Sequence, residues 1–307
     1  MPYFSKLKLG YLAALANTLI FASNYHFIKI LMPDYMSAKA LILFRALVGS
    51  LLFWGIGMFT AQQKIARKHY GKLFLTGILL GGNMITFFVG LNFTTAISAS
   101  IISSLLPLFT LIIASIYFKT KIQKYSLIGI FLGFLGTICL IMIGKETDSL
   151  VENTLLGNGL LLLNNIVFAN YLIMFKSLLN EYNSFTILKW VYLISLSVLI
   201  PFGYSDLQLV DFVSMPLKAY AVIGFLIIAV TLLAGILYSF ALKHLKASNV
   251  AVFEYFQPIL TSVIAIYLGT EQITITKVIA IIFILSGVYL ARDKETDATL
   301  PDDFYKP

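Results

Sequence analysis

An acid, an amide and a proline stand close together in the stretch Ala247–Glu271, where Glu254, Gln257 and Pro258 interrupt an otherwise apolar run. Proline donates no backbone N–H, and its ring crowds the carbonyl four residues back, here that of Glu254 itself. A helix through this stretch is expected to bend beside a freed carbonyl and a carboxyl, with Gln257 on the same face three residues on. Against lipid those groups would have no partners, so the face must look into a helix bundle or a wet cavity. Glu254 is the only acid well inside an apolar span, and insertion scales place an acid at a helix centre at roughly +2.5–3.5 kcal/mol. It lies about seven residues into its helix, about 10 Å from the nearer membrane face at about 1.5 Å per residue. Two roles suit it there: binding a substrate ammonium or taking up a proton during a cycle, or joining two helices by a structural hydrogen bond or ion pair.

Other polar residues inside apolar runs pose the same choice. Arg45 and Lys29 lie near the outer ends of the first two spans, either as a site for a substrate carboxylate or an outer gate, or as snorkelling side chains. Lys189, a short way into its span, reads as snorkelling. His26 lies three residues from both Ser23 and Lys29, on a helix that also carries Asn17 and Asn24. The two asparagines are seven apart and share a face. Together they form either a polar stripe along a solute path, with His26 as a pH-sensitive group, or interhelical hydrogen bonds worth only about 0.6 kcal/mol each. Asn164, Asn165 and Asn170 are too many amides for a lipid-facing span. Asn164 and Asn165 are neighbours that cannot both point one way, so at least one of them reads as structural. Asn83, flanked by Gly81 and Gly82, is a further cavity residue. Tyr255, Tyr238, Phe168 and Tyr171 can wall an apolar-aromatic cavity, while most other aromatics belong to lipid or interface belts. Ser103 and Ser104 precede Pro107 as Glu254 and Tyr255 precede Pro258, and a serine there can satisfy the carbonyl the proline frees. Gly129, Gly133 and Gly136 line one helix face and read as a close-packing surface.

Other chemistries find no support in the residues. His26, His69 and His244 are the only histidines and are too dispersed for a zinc cluster. No G-x-x-x-x-G-K-[ST] loop occurs, which argues against direct ATP drive. No metal, cofactor or enzymatic activity is expected. The single cysteine, Cys139, cannot form a disulfide within the chain and reads as a packing residue.

The elements that must position these groups are membrane helices. The chain has 307 residues, 59% hydrophobic and only 12% charged, with a mean hydropathy of +0.91. A soluble domain carries about 25% charged residues, so the shortfall points to lipid as the solvent. The net charge of +8 does not mark a nucleic-acid binder, because the basic residues sit in short loops between apolar runs. The first run, Leu9–Leu31, exceeds the roughly 7–15-residue apolar core of a signal peptide and reads as a retained helix. Helices are expected at 9–31, 38–60, 72–92, 96–118, 124–143, 155–178, 184–204, 218–242, 249–269 and 275–291, ten in all. The segments near 144–154 and 205–217 leave no room for a soluble domain. The tail Asp293–Pro307 reads as a disordered cytoplasmic end. Fifteen lysines and arginines fall on the side of both termini and four on the other, which puts the termini in the cytoplasm.

The sequence also repeats itself. At a constant offset of 151, Pro107 falls on Pro258, Thr110 on Thr261, Ala114 on Ala265 and Gly136 on Gly287. Two repeats of five helices, 1–148 and 149–292, must enter the membrane with opposite polarity because five is odd. The basic loop Lys119–Lys124 and its counterpart Thr270–Gln272, which carries Glu271 and no cation, agree with that. Inverted repeats are a plan of secondary transporters, which bind solute near the midplane and alternate access by rocking.

Phe21-Ala22-Ser23-Asn24 through Lys29 resembles the W-G-[ST]-N…K signature that ends the first helix of EamA-type members of the drug/metabolite transporter superfamily. Phe44-Arg45 resembles the second-helix arginine of that family, and the spans around Pro107 and Pro258 resemble its paired repeat ends. Phe21 and Ala22 depart from the usual Trp-Gly, Thr120 stands where the first repeat often has an acid, and Gln257 stands where an acid is common. Glu254 is thereby left as the local acid. The resemblance covers nearly the whole chain and implies a ten-helix inner-membrane carrier that exports amino acids or other small metabolites.

The expectation is therefore an all-α membrane protein of ten helices in two inverted repeats. Its helices at 9–31, 72–92, 96–118, 155–178, 218–242 and 249–269 surround a cavity, and bends at Pro107 and Pro258 let each half open. Glu254, Gln257, Asn24 and Asn83 orient the solute, with Tyr255, Asn164, His26 and Arg45 as further binding residues. The partners are a small-molecule solute, the lipid bilayer and a coupling proton. The chain is read as a monomer or weak homodimer. Multidrug or organic-cation efflux is the nearest rival, followed by a membrane enzyme or receptor.

Overall fold

The computed structural model describes residues 2–60, 63–119, 121–122, 124–143, 154–245, 250, 253–254, 256–270 and 272–291. All regular structure among these is helical: α1 Pro2–Leu31, α2 Ala38–Met58, α3 Tyr70–Asn92, α4 Ala96–Ser103, α5 Leu106–Phe118 and α6 Lys124–Ile143. The chain continues through α7 Thr154–Leu179, α8 Ser184–Gln208, α9 Leu217–Phe225, a π-helical stretch Leu226–Leu233, α10 Ala234–His244, α11 Gln257–Leu268 and α12 Ile275–Ala291. Side-chain caps start several of them by satisfying a backbone N–H that the first turn leaves free. Ser37 Oγ accepts from Ala40 N at 3.1 Å, Thr95 Oγ1 from Ser98 N at 3.2 Å, and Asn183 Oδ1 from Thr186 N at 2.7 Å. Ser37 Oγ also donates to Asp206 Oδ2 at 2.6 Å, tying the start of α2 to the end of α8.

The expected bends at the two prolines are complete breaks. Ser104 and Leu105 form a turn, with Leu105 N donating to Ile102 O at 3.1 Å, and α5 restarts with Pro107 in its first turn. Glu254 is helical, Phe256 is a turn whose N donates to Phe253 O at 3.0 Å, and α11 begins at Gln257 with Pro258 in its first turn. Proline is at home in a first turn, where its missing N–H would have had no intrahelical acceptor. Each residue therefore starts a new helix instead of straining an old one.

Shifting the first half by 151 carries α2 onto 189–209, where α8 lies, and α6 onto 275–294, where α12 lies. The same shift carries α1 onto α7, α3 onto the α9–α10 rod, and α5 onto α11. The packing obeys the same exchange. α1 lies against α10 and α11, and its counterpart α7 lies against α3 and α5. α2 packs on its own counterpart α8, and α6 on α12. The α6–α12 seam is where the glycine face is needed. A Cβ at Gly287 would stand 2.5 Å from Gly129 O and 2.6 Å from Gly133 N, and one at Gly136 would stand 3.0 Å from Ala280 O.

Six segments among the described residues are long and apolar enough to cross a membrane: Ala38–Met58, Arg67–Asn92, Ala96–Tyr117, Thr154–Leu179, Ser184–Gln208 and Leu217–His244. Gln257–Leu268 and Ile275–Gly287 are shorter apolar helices. α1 is long enough, but Asn17, Asn24, His26 and Lys29 dilute its apolar content. It also begins earlier than the apolar run does, at Pro2. Residues 144–153 of the expected connection 144–154, the expected start of the ninth helix at 249, and the tail 293–307 lie outside the described residues.

Candidate functional site

Where the two halves meet lies a partly open cavity of about 150 Å³. Asn17, Phe21, Asn24 and Tyr25 face it from α1; Asn83, Met84, Phe87 and Phe88 from α3; Asn164, Asn165, Phe168 and Tyr171 from α7. Tyr238 and Ser239 come from α10, and Glu254 and Gln257 from the two sides of the second break. All six predicted helices contribute. α2 and α8 contribute as well, through Arg45 and through Leu188 and Tyr192.

One wall is a relay of side chains across the second break. Tyr25 Oη donates to Gln257 Oε1 at 3.2 Å, and Gln257 Nε2 donates to the Glu254 carboxylate. All three residues are buried. The break supplies this geometry, because it sets Glu254 before it and Gln257 after it within hydrogen-bond reach of each other, with Gln257 also in reach of Tyr25 on α1. On α1 itself, Asn17 and Asn24 are both 1% exposed, and neither carboxamide oxygen has a hydrogen-bond partner among the described residues. Buried polar groups are ordinarily bonded, and these two line a cavity that could admit a partner.

The first break is braced from α7. Asn165 Nδ2 donates to Ile102 O at 2.9 Å, a carbonyl beside the turn where α4 stops. Asn164 Nδ2 donates to Asn83 O at 2.8 Å and to Thr86 Oγ1 at 3.0 Å. Both amides thus make structural bonds, and both also line the cavity. Neighbouring helix residues point about 100° apart, so the cavity wraps around that side of α7.

Arg45, also in the lining, is 8% exposed. Its Nε donates to Thr231 Oγ1 at 3.1 Å, and its guanidinium lies 5.1 Å from the Phe88 ring centroid. Thr231 Oγ1 in turn donates to Leu226 O, five residues back, at 2.9 Å. Aromatic rings line other parts of the cavity. Phe168 stacks on Tyr171 at 5.6 Å and Tyr171 on Phe175 at 5.2 Å, while Tyr25 meets Phe87 edge-on at 5.4 Å.

Glu254, Gln257, Asn24, Asn83, Asn164 and Arg45 are therefore brought together, with Tyr238, Phe168 and Tyr171 as walls. Tyr255 lies outside the described residues. His26 is not part of the lining; its Nε2 is 2.9 Å from Thr261 O and holds α1 to α11. Lys29 Nζ donates to Asn92 O at 3.5 Å, and Lys189 Nζ lies over the Trp54 ring at 4.9 Å. Ser103 lines the cavity, whereas Ser104 Oγ donates to Ile101 O at 2.6 Å. Asn17, Asn165, Tyr25 and Tyr192 are lining residues that sequence reasoning did not single out as binding groups. For Asn17, the seven-residue spacing from Asn24 already placed both on one face.

Comparison with known proteins agrees with this arrangement in length and in repeat. The profile described as the EamA-like transporter family matches the chain twice, over residues 8–142 and 155–292. An uncharacterized transporter of Archaeoglobus fulgidus is 26% identical over 282 residues, spanning 90% of this chain and 95% of that one. The uncharacterized transporter YyaM of Bacillus subtilis is 24% identical over 259 residues, 84% of each chain. A solved crystal structure superposes with a TM-score of 0.61 at 14% identity, covering 94% of this chain and 96% of that one, a likeness of fold.

Proposed function

The chain belongs to the EamA-like transporter family, and we propose that it is a secondary transporter exporting amino acids or related small metabolites by alternating access. The observation that carries this reading is the cavity between the halves. It combines one carboxyl, one guanidinium and two carboxamide oxygens that have no partner among the described residues with aromatic walls in about 150 Å³. An engineered protein cavity of about that volume takes up benzene, so a compact solute fits. Glu254, Gln257, Asn24, Asn83 and Asn164 orient the polar part of the solute, and Tyr238, Phe168 and Tyr171 hold the rest; Tyr255 adjoins Glu254 in sequence.

In this reading residues 1–148 and 149–292 are five-pass repeats, each broken helix pair counting as one pass, ten in all. Five is odd, so the exchange of contacts between halves corresponds to a twofold axis lying in the membrane plane. The breaks at Pro107 and Pro258 are the joints at which each half opens. The excess of lysine and arginine on one side supports cytoplasmic termini and a cytoplasmic tail 293–307, in a bacterial-type inner membrane. Glu254 is the group through which a proton couples to the cycle.

The test is uptake and counterflow in sealed vesicles containing the purified chain. Saturable flux of amino acids supports the reading. The buried carboxylate of Glu254 favours one rival, efflux of lipophilic cations. Saturable flux of organic cations with none of amino acids would replace the proposal by that rival, and no saturable flux of any solute would count against transport itself.

A further inference from the structure

Arg45 has a geometry that the solute-orienting wall does not explain. Thr231 belongs to the π-helical stretch Leu226–Leu233, and its hydroxyl proton is committed to Leu226 O at 2.9 Å. With its one proton so directed, Oγ1 presents a lone pair to Arg45 Nε, which donates to it at 3.1 Å. An ordinary helical threonine bonds the carbonyl three or four residues back; the wider turn shifts the acceptor to the fifth. Such turns recur at functional sites. The guanidinium plane is further fixed by the Phe88 ring at 5.1 Å.

Nε is thus occupied, and the Nη groups make no hydrogen bond or ion pair among the described residues. They belong to a residue that lines the cavity. Tyr192 lines the same wall. A Cβ placed on Gly49, one turn along α2 from Arg45, would meet the Tyr192 ring at 2.6 Å and Thr231 Cγ2 at 2.9 Å. The missing side chain at Gly49 is what lets Tyr192 and Thr231 converge beside the arginine. A buried cation without a counter-charge is strongly unfavourable, and a planar fork of N–H donors matches the two oxygens of a carboxylate.

We propose that Arg45, positioned by Thr231 of the π-helical turn, receives the carboxylate of the transported solute, with the Tyr192 hydroxyl beside it. The inference rests on the transport reading and narrows its substrate to compact carboxylates, amino acids among them. It disfavours organic cations.

The experiment uses the full chain reconstituted in sealed vesicles, with common L-amino acids, their carboxamides, their N-acetyl derivatives and tetraalkylammonium ions as competing solutes. Carboxamides keep the ammonium and lose the carboxylate; N-acetyl derivatives do the reverse. In the wild type, acids compete at least about tenfold better than their carboxamides, the loss expected for one charge-assisted hydrogen-bond pair. Arg45→Gln and Thr231→Val bring acid and carboxamide to near equality, whereas Thr231→Ser keeps the preference. Thermal midpoints without solute show whether each variant is folded, and Thr231→Val against Thr231→Ser carries the test if Arg45→Gln does not fold. Carboxamides competing as well as acids in the wild type overturn the proposal, as does a preference that survives Thr231→Val and Arg45→Gln. Saturable flux confined to tetraalkylammonium ions leaves transport standing and overturns the carboxylate assignment. No flux of any solute overturns both.

Discussion

Tyr25 Oη donates to Gln257 Oε1 at 3.2 Å across 232 positions of sequence. The bond reaches from the first helix to the first residue after the second break and leaves the Gln257 amide turned toward Glu254. Removing the hydroxyl alone tests whether that orientation matters. Tyr25→Phe keeps the ring against Phe87 and is expected to cost about 0.5–1.5 kcal/mol. A loss of the same size in solute binding, through the released Gln257 amide, would be roughly two- to tenfold in apparent affinity. Concentration dependence of flux in vesicles measures the second quantity, and thermal unfolding in detergent the first.

Glu254 has two charge states, and glutamine has one. Glu254→Gln is expected to keep the hydrogen-bonding shape of the wall while flattening the dependence of flux on pH. Flux measured across a series of equal internal and external pH values checks this. A profile identical to the wild type would remove Glu254 from coupling and leave it a structural partner of Gln257.

Asn165 braces the first break through Ile102 O. Asn165→Leu leaves that carbonyl without its side-chain donor, although Leu105 N still reaches it at 3.1 Å. The expected loss is therefore modest, about 1 kcal/mol, read as a lower thermal midpoint. The Ala variant should lose more, because it also opens a cavity beside Ile102.

Gly287→Ala is expected to destabilise by about 1–3 kcal/mol, the usual range for overpacking. The new Cβ has only backbone, Gly129 O and Gly133 N, to push against. Gly55→Ala is the control: a Cβ there meets nothing within 4 Å. Its midpoint should hold or rise slightly, since alanine favours helix over glycine. Equal midpoints for the two variants would argue against a tight α6–α12 seam.

Much of this site could be read from residue type and spacing. An acid, an amide and a proline within five residues of an apolar run mark a place where lipid cannot be the neighbour, and Glu254 and Gln257 do line the cavity. The offset of 151 between prolines and glycines marked the paired breaks and the glycine seam. What remained hidden has physical causes. Tyrosines in a membrane protein serve lipid interfaces and cavities alike, so type alone does not separate Tyr25 and Tyr192 from the rest. The stretch Leu226–Leu233 is apolar throughout and gives no periodic signal from which a widened turn could be read; the placement of Thr231 depends on that turn. His26 looked like a path residue because it shares a helix with Asn24, yet its ring turns to a backbone carbonyl of α11. At Pro107 and Pro258 the composition foretold an interruption but not its degree, since a proline can bend a helix or begin one.

The helices that α1 packs against most, α10 and α11, are made more than two hundred residues after it. During synthesis the first helix therefore enters the bilayer with Asn17, Asn24 and His26 exposed, long before Thr261 exists to receive the imidazole. Something else must shelter those groups in the interval, be it the insertion machinery, water or α3. Ribosomes stalled after residue 200 should yield a first helix still open to proteases and crosslinkers, and release of the finished chain should close it.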